Sequence, residues 1–182
     1  MLRAGYAFRE EFVDPMHPTE DFLRSNPLGL VPVLLREKGD PIVDSPLILD
    51  YLDEFIAPVW PKDPEQRLAV RAISALCAGT MGAAVSYFFE TQKSSPDPGW
   101  VQDHLDVVPR TLAEIERRLR DPNHLSGGGV LTQAGWDLAV ALEYLDLRMP
   151  MTCWREACPS LLPILGEARA SRYFAETSPS RS

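Results

Sequence analysis

The sequence predicts an α+β protein built from two domains, because strand and helix patterns alternate over the first sixty residues and only helical patterns follow. The change falls at a proline-rich stretch, residues 57–63, which we interpret as a linker. We therefore expect a mixed domain over residues 1–57 and an all-helical domain over residues 64–175. A chain of 182 residues is long enough for one domain or for two small ones.

The first domain is predicted to begin with a strand and a short helix. Residues 6–13 have Phe8 and Phe12 separated by charged side chains, as in a half-buried strand. A short helical pattern follows at residues 19–23. It is expected to stop at Asn26, because the residue before a proline is pushed out of the helical region.

A β-hairpin and a second helix complete the first domain. Two apolar runs, residues 31–35 and 41–43, flank a Lys-Gly-Asp turn signal, so we expect a hairpin. Ser45 then supplies a helix N-cap, and Pro46 occupies the first helical position. The apolar face of this helix is formed by Leu47, Ile48, Tyr51, Leu52 and Phe55.

The second domain is predicted to consist of four helices. Asp63 caps the first, which extends to about residue 92, and the second has the clearest helical periodicity of the chain. Thr132 caps the third after a loop at residues 126–129, and the last is expected at about residues 159–172. The inward positions are Leu105, Val108, Leu112, Ile115 and Leu119 in the second helix and Trp136, Val140, Tyr144 and Leu147 in the third.

Charge and composition exclude several classes of protein. The chain has 18 Lys and Arg against 26 Asp and Glu, a net charge of −8. That balance repels nucleic-acid phosphates and anionic membrane surfaces, so we expect neither as a partner.

We find no apolar run approaching the roughly 20 residues that span a bilayer, and the first residues lack a signal-peptide core. We therefore expect a cytoplasmic protein.

The cysteines and histidines show no metal-ligand spacing. The cysteines form no Cys-x-x-Cys pair, which argues against both a disulfide framework and a zinc site, and the histidines are scattered. We therefore expect no metal cofactor. The residues concerned are Cys77, Cys153, Cys158, His17, His104 and His124.

Three motifs carry a family resemblance. The run NPLGLVPVL at residues 26–34 and the run DSPLILDYL at residues 44–52 resemble the glutathione-binding half of the cytosolic glutathione transferases of the bacterial type. The helical remainder, with Thr132 followed by EYLDLR at residues 143–148, is similar to the second domain of that family. The resemblance implies a thioredoxin-like first domain, here a truncated βαββα unit, and an all-α helical bundle as the second.

The resemblance also implies a function and partners. We expect a glutathione transferase, which conjugates or transfers the glutathione thiol onto a small hydrophobic electrophile, with glutathione as cosubstrate and no other cofactor. By likeness, the electrophile lies over the long helix near Met81 and Val85. A homodimer is expected.

The alternative is a degenerate, non-catalytic member that binds glutathione or a partner protein. A glutathione-dependent dehalogenase or isomerase also stays open, because a fold does not fix a substrate.

The same motifs imply which residues bind glutathione. Pro32 is expected to follow a cis peptide bond, which turns the backbone so that Val31 offers its N–H and C=O to the cysteine of glutathione. Ser45, at a helix start, is expected to hold the γ-glutamyl carboxylate, and Asp44 to face the ammonium group. Leu30 stands where many family members have a lysine or histidine near the glycyl carboxylate.

The catalytic residue stays unknown. The family's first strand, first loop and most of its first helix, roughly 20 residues by mean element lengths, would precede Met1. That loop carries the Ser, Cys or Tyr that acts on the sulfur. Tyr6, Ser25 and Cys77 are interpreted as structural, since nothing in the sequence places them at the sulfur. Without a first strand, we expect the strand at residues 6–13 to lack its partner.

Overall fold

The structure is a computed structural model that describes residues 1–127 and 130–177. The chain divides into two compact units, Met1–Val59 and Trp60–Ser182. The first unit contains both helices and strands, and the second is mostly helical. The predicted α+β class is therefore confirmed.

Within its described residues, the first unit contains two α-helices and one two-stranded sheet. The Thr19 hydroxyl accepts a hydrogen bond from the Phe22 amide at 3.2 Å and so caps the first helix. The predicted stop at Asn26 is confirmed, since this residue has extended backbone angles directly after the helix. The elements are α1 (Glu20–Ser25), β1 (Val33–Leu34), β2 (Ile42–Val43) and α2 (Ser45–Phe55).

The predicted hairpin is confirmed by the antiparallel pairing of β1 with β2, in which Val33 lies opposite Val43. Its turn contains Gly39 at a φ of 92°, a conformation that glycine adopts without steric cost. The Arg36 side chain closes the turn by donating two hydrogen bonds to the Asp40 carbonyl oxygen, at 3.2 and 2.8 Å. These contacts hold the turn of the hairpin closed.

The strand expected over residues 6–13 does not form, and this expectation is wrong. The segment has no regular secondary structure, and Phe12 is 93% exposed. A strand needs a neighbour to pair its backbone N–H and C=O groups. In the first unit, the ladder of described residues joins β1 and β2 alone, so residues 6–13 have no strand to pair with.

Among its described residues, the second unit contains six α-helices and one short strand pair. The predicted cap at Asp63 is confirmed, because its carboxylate accepts a hydrogen bond from the Gln66 amide at 2.8 Å. Asp97 caps the next helix by accepting from the Gly99 amide at 2.8 Å. The elements are α3 (Pro64–Thr91), α4 (Pro98–Arg118), β3 (Ser126–Gly127), β4 (Val130–Leu131), α5 (Gln133–Arg148), α6 (Trp154–Ala157), α7 (Leu162–Ala170) and α8 (Arg172–Glu176).

The structure differs from the prediction at two places in this unit, the loop before α5 and the last helix. The loop expected at residues 126–129 begins as β3, which pairs with β4, while Gly128 and Gly129 lie outside the described residues. The single last helix expected at about residues 159–172 is divided into a 3₁₀ turn, α7 and α8. The division falls at Ser171, whose extended backbone ends α7 and whose hydroxyl accepts from the Tyr173 amide at 3.3 Å to start α8.

The core of the second unit lies where α3 packs against α4 and α5. The hydroxyls of Thr80 on α3 and Thr111 on α4 are hydrogen-bonded to each other at 2.8 Å inside this contact. One hydroxyl donates to the other, and the hydroxyl that accepts can donate to a carbonyl of its own helix, that of Leu76 for Thr80 or that of Val107 for Thr111. Neither hydroxyl is therefore buried without a partner. The predicted periodicity of α4 is confirmed by three almost fully buried side chains, those of Val108, Leu112 and Ile115.

The buried face of α5 differs from the predicted one. Val140 and Leu147 are 46% and 57% exposed, and Trp136 and Tyr144 are only partly buried. Both α3 and α7 pack on α5, so two adjacent sides of the helix are covered, and these sides carry small residues and leucines. The buried residues of α5 are Ala134, Gly135, Leu138, Ala139, Ala141, Leu142 and Leu145.

Helix α3 is long and apolar enough to cross a bilayer, by length and composition alone. Residues 72–89 contain no charged side chain, so the expectation that no apolar run approaches bilayer length is corrected. One such helix is weak evidence for a membrane span, because the core helix of a soluble protein passes the same test. In this structure α3 packs against both α4 and α5.

Candidate functional site

The start of α2 presents unpaired hydrogen-bond donors. The expectation that Ser45 caps this helix is wrong, because Asp44 occupies the cap position and Ser45, which is exposed, is the first helical residue. Within the described residues, the Ser45 hydroxyl and the amides of Ser45 and Leu47 form no hydrogen bond. The N-terminus of a helix also carries a partial positive charge. This end of α2 can therefore bind a carboxylate group.

Asp44 has a backbone conformation that is rare for a residue with a side chain. Its φ of 75° and ψ of 129° lie outside the regions that L-residues favour. Its carboxylate does not cap α2, whereas its carbonyl accepts from the Ile48 amide at 3.0 Å. A strained residue of this kind persists when the surrounding structure holds it, often at a binding site. The Asp44 carboxylate is exposed beside the helix start and can bind a cation.

The backbone of Val31 is available for pairing. The Val31–Pro32 peptide bond is cis, and Val31 is 52% exposed. Within the described residues, neither its N–H nor its C=O is hydrogen-bonded. An extended peptide laid against Val31 can therefore form the backbone bonds that a neighbouring strand would form.

Asn26 fixes the loop that leads to Val31. Its side chain is 1% exposed, donates to the Leu30 carbonyl at 2.6 Å and accepts from the Leu28 amide at 3.0 Å. Gly29 completes the turn at a φ of 67°. From the sequence, Asn26 is expected only to end the helix. The signal for its second role is the Asn-Pro-Leu-Gly run, because asparagine side chains often bond to the backbone of a following turn.

The hairpin brings the two halves of the site to one end of the sheet. Because Val33 lies opposite Val43, the residues before β1 and the residues after β2 leave the ladder at the same end. Val31 precedes β1 by two residues, and Ser45 follows β2 by two. One carboxylate-binding helix end, one exposed carboxylate that can bind a cation and one backbone segment available for pairing therefore share one end of the first unit.

In its described residues, the site lacks a basic side chain for the glycyl carboxylate and a hydroxyl group for the sulfur. Leu30, which replaces a basic residue, is 62% exposed and offers no polar side-chain atom. Tyr6 is half exposed in a segment without regular structure, and the Ser25 hydroxyl donates to the Asp21 carbonyl at 3.2 Å. No catalytic hydroxyl is assigned in the described part of the chain.

The cysteines and the candidate metal ligands do not supply the missing chemistry. Burial, together with the negative charge of Asp137, raises the pKa of the Cys77 thiol far above its usual value, so Cys77 stays protonated. Burial likewise raises the pKa of Cys158. Across residues 1–127 and 130–177, no group of three or more His, Cys, Asp or Glu residues is arranged to hold a metal ion.

Comparison with known proteins gives consistent matches over both units. The family model of the glutathione S-transferase N-terminal domain matches residues 2–54, and that of the C-terminal domain matches residues 98–165. The uncharacterized GST-like protein YibF of Escherichia coli is 30% identical over 191 residues, which cover 100% of this chain and 91% of YibF.

Solved structures are similar over the same length. A glutathione S-transferase of Methylobacterium radiotolerans, in complex with glutathione sulfonate, has a TM-score of 0.89 at 29% identity. The match covers 100% of this chain and 87% of the Methylobacterium radiotolerans chain. A glutathione S-transferase of Methylobacillus flagellatus, with glutathione bound, has a TM-score of 0.88 at 26% identity. The match covers 98% of this chain and 90% of the Methylobacillus flagellatus chain.

Proposed function

The chain belongs to the glutathione S-transferase family, and from this premise we propose that it binds glutathione and transfers the glutathione thiol onto a small hydrophobic electrophile. The start of α2 is the observation that carries the proposal. There, the exposed Ser45 hydroxyl and two amides lack partners beside the strained, exposed Asp44. Glutathione enters as a cosubstrate, and the proposal includes no further cofactor.

Each part of glutathione has a complementary group in this arrangement. The γ-glutamyl carboxylate accepts hydrogen bonds from Ser45 and gains from the positive end of α2. The ammonium group beside it pairs with the Asp44 carboxylate. The cysteine residue of glutathione pairs its backbone with the unbonded N–H and C=O of Val31. These three contacts leave the sulfur free to react.

The chemistry proposed for the sulfur is a nucleophilic transfer. A free thiol has a pKa of about 8.5, so only a few per cent is thiolate at neutral pH, and catalysis requires the thiolate. The thiol proton passes to solvent, a carbon–sulfur bond forms, and the leaving group departs with its bonding electron pair. With a double bond as electrophile, the adjacent carbon takes up a proton instead. The homodimeric state and the cytoplasmic location stay predictions.

The role of Ser45 is tested by titrating glutathione into wild-type protein and into Ser45→Ala in a calorimeter. We expect the variant to bind glutathione about 10- to 100-fold more weakly, because it loses a hydrogen bond to a charged group. Ser95→Ala is the matched control, since Ser95 is an exposed serine in the loop between α3 and α4. Equal affinity of wild type and Ser45→Ala would remove Ser45 from the site.

A second candidate function is binding of glutathione without turnover, as in a degenerate member of the family. It is favoured by the exposed Leu30 and by the lack of an assigned hydroxyl or thiol donor at the site among the described residues. The two candidates separate when glutathione binding and the rate of conjugation to chlorodinitrobenzene are measured on one preparation. Binding with a rate no faster than the uncatalysed reaction supports the second candidate. A faster rate that falls in Ser45→Ala supports the transferase.

A further inference from the structure

Arg148, the last residue of α5, lies between two aromatic rings of the second unit. Its Cζ atom is 4.2 Å from the ring centroid of Phe88 on α3 and 5.8 Å from that of Tyr144, one turn earlier on α5. Both distances are within the range of a cation–π contact. The guanidinium plane is therefore held by groups on two different helices.

The charge of Arg148 has no anionic partner in the described residues. Its Nε atom is buried without a hydrogen bond, and no carboxylate pairs with it over residues 1–127 and 130–177. The two nearest acids on α5 are already used, since Asp146 pairs with Arg155 and Glu143 with Arg169.

An unpaired cation in a partly buried position is costly, and in this chain it is also unexpected. Acidic residues outnumber basic ones by 26 to 18, so carboxylates are in excess. The C-terminal end of α5 attracts the charge diffusely, but no acceptor bonds to it in the described residues. Of its three nitrogens, only Nε is fully buried without a hydrogen bond, and the residue as a whole is half-buried.

The face of α3 that carries Phe88 is apolar. Met81, Val85 and Phe88 recur at steps of four and three and therefore share one face of α3. Val85 and the neighbouring Phe89 are 37% and 46% exposed. A positive group at the end of an apolar helix face matches a ligand with an apolar body and one negative end.

We propose that Arg148, held by Phe88 and Tyr144, binds the carboxylate of the electrophile, so that the second substrate is an apolar carboxylic acid such as an unsaturated aryl acid. This inference rests on the proposed transferase function, because a transferase needs a second substrate in addition to glutathione. Guanidinium and carboxylate match in plane and can form two parallel charge-assisted hydrogen bonds. The aromatic rings exclude water from one side of that pair and so strengthen it.

The test compares trans-cinnamate with cinnamamide, which has the same shape and no charge, by calorimetry without glutathione. Wild-type protein should bind the acid at least about 10-fold more tightly than the amide. Arg148→Met should remove this preference, and Arg148→Lys, which keeps the charge but loses the planar pair, should keep part of it. Arg110→Met is the matched control, because Arg110 is exposed on α4 and pairs with no carboxylate in the described residues; it should bind as the wild type does.

Four results would overturn the proposal. The first is equal binding of acid and amide by the wild type, which needs no variant and so holds even if Arg148→Met fails to fold. The second is an equal loss in Arg148→Met and Arg110→Met. The third is binding of sulfate as tight as that of cinnamate, which would indicate a general anion site. The fourth is weaker glutathione binding in Arg148→Met, which would assign Arg148 to the other substrate.

Failure of the inference and failure of the proposed function are distinguishable. If the wild type binds glutathione through Ser45 but shows no preference for the acid, the Arg148 proposal alone falls. If glutathione does not bind, the proposed function falls, and with it the reason to expect an electrophile as the second substrate.

Discussion

Asp44 shows how one residue can serve binding at the expense of stability. Its φ of 75° costs about 1–3 kcal/mol for a residue with a side chain, and its carboxylate makes no capping bond in return. A glycine would remove the strain and lose only about 0.4–1 kcal/mol through the greater freedom of the unfolded chain. The position of the carboxylate beside Ser45 is the reason we propose for keeping an aspartate there.

This balance predicts opposite effects of Asp44→Gly on stability and binding. We expect the free energy of unfolding, measured in urea, to rise by about 1 kcal/mol, since the relieved strain exceeds the added entropy. The affinity for glutathione, measured by calorimetry, should fall because the ammonium group loses its carboxylate.

The control for Asp44→Gly is Asp103→Gly, an exposed aspartate inside α4. That change should lower the free energy of unfolding by about 0.3 kcal/mol, because glycine is only slightly less favourable than aspartate in a helix interior, and leave glutathione binding unchanged. Equal destabilisation by the two glycines would show that Asp44 is not strained.

At the scale of an element, the start of α5 depends on a close approach of two backbone segments. The Thr132 hydroxyl accepts from the Gly135 amide at 3.4 Å and donates to the His124 carbonyl at 2.7 Å. The Thr132 amide donates to the Leu125 carbonyl at 2.9 Å. A Cβ atom at Gly135 would lie 2.4 Å from that same carbonyl oxygen. Gly135 therefore allows the loop to lie directly on the first turn of the helix.

Gly135→Ala is predicted to destabilise the second unit. The added methyl group would also lie 2.9 Å from a methyl carbon of Leu131, so both the loop and the side chain must move. We expect the free energy of unfolding to fall by about 1–3 kcal/mol, as for an overpacked core, measured by chemical denaturation.

The matched control is Gly166→Ala in α7, where a Cβ atom meets no other atom within 4 Å. This change should raise the free energy of unfolding by up to about 1 kcal/mol, because alanine favours the helix more than glycine does. If both substitutions act in the same direction, helix propensity and not close packing decides the effect of Gly135.

At the scale of the whole molecule, burial is distributed unequally between the two units. Every apolar side chain that is buried in the described residues lies between Trp60 and Ala168. In the first unit, the one buried residue among those described is the polar Asn26. A unit of about 60 residues is marginally stable even with a good core, because so much of its surface remains exposed.

We therefore predict that a fragment of residues 60–182 folds alone and that a fragment of residues 1–59 does not. The larger fragment should keep a helical circular dichroism spectrum and a cooperative thermal transition. The smaller fragment should show neither. Loss of the cooperative transition in the larger fragment would contradict the prediction and would mean that its core depends on the first unit.

Local chemistry determined much of this fold from the sequence. The caps at Asp63 and Thr132, the stop at Asn26 and the glycine turn of the hairpin were all predictable, because each depends on residues within about four positions of one another. The site residues Val31, Asp44 and Ser45 stay predictions, and they were indicated by their motifs. The role of Asn26 in the loop required the structure.

The features that sequence reasoning missed depend on partners far away in the chain. Residues 6–13 have a strand pattern but no described strand to pair with. Helix α5 carries apolar residues on several sides, and only its packing against α3 and α7 determines which of them are buried. The unpartnered Arg148 could not be foreseen either, since the excess of acids favours a pair and only packing shows that Glu143 and Asp146 bind other arginines.

The sequence alone thus determined the helices, the hairpin turn and the family motifs, because these follow from local propensity. The tertiary structure decided which faces are buried, which strand pattern fails and which charge stays unpaired, because burial and pairing depend on residues distant in sequence.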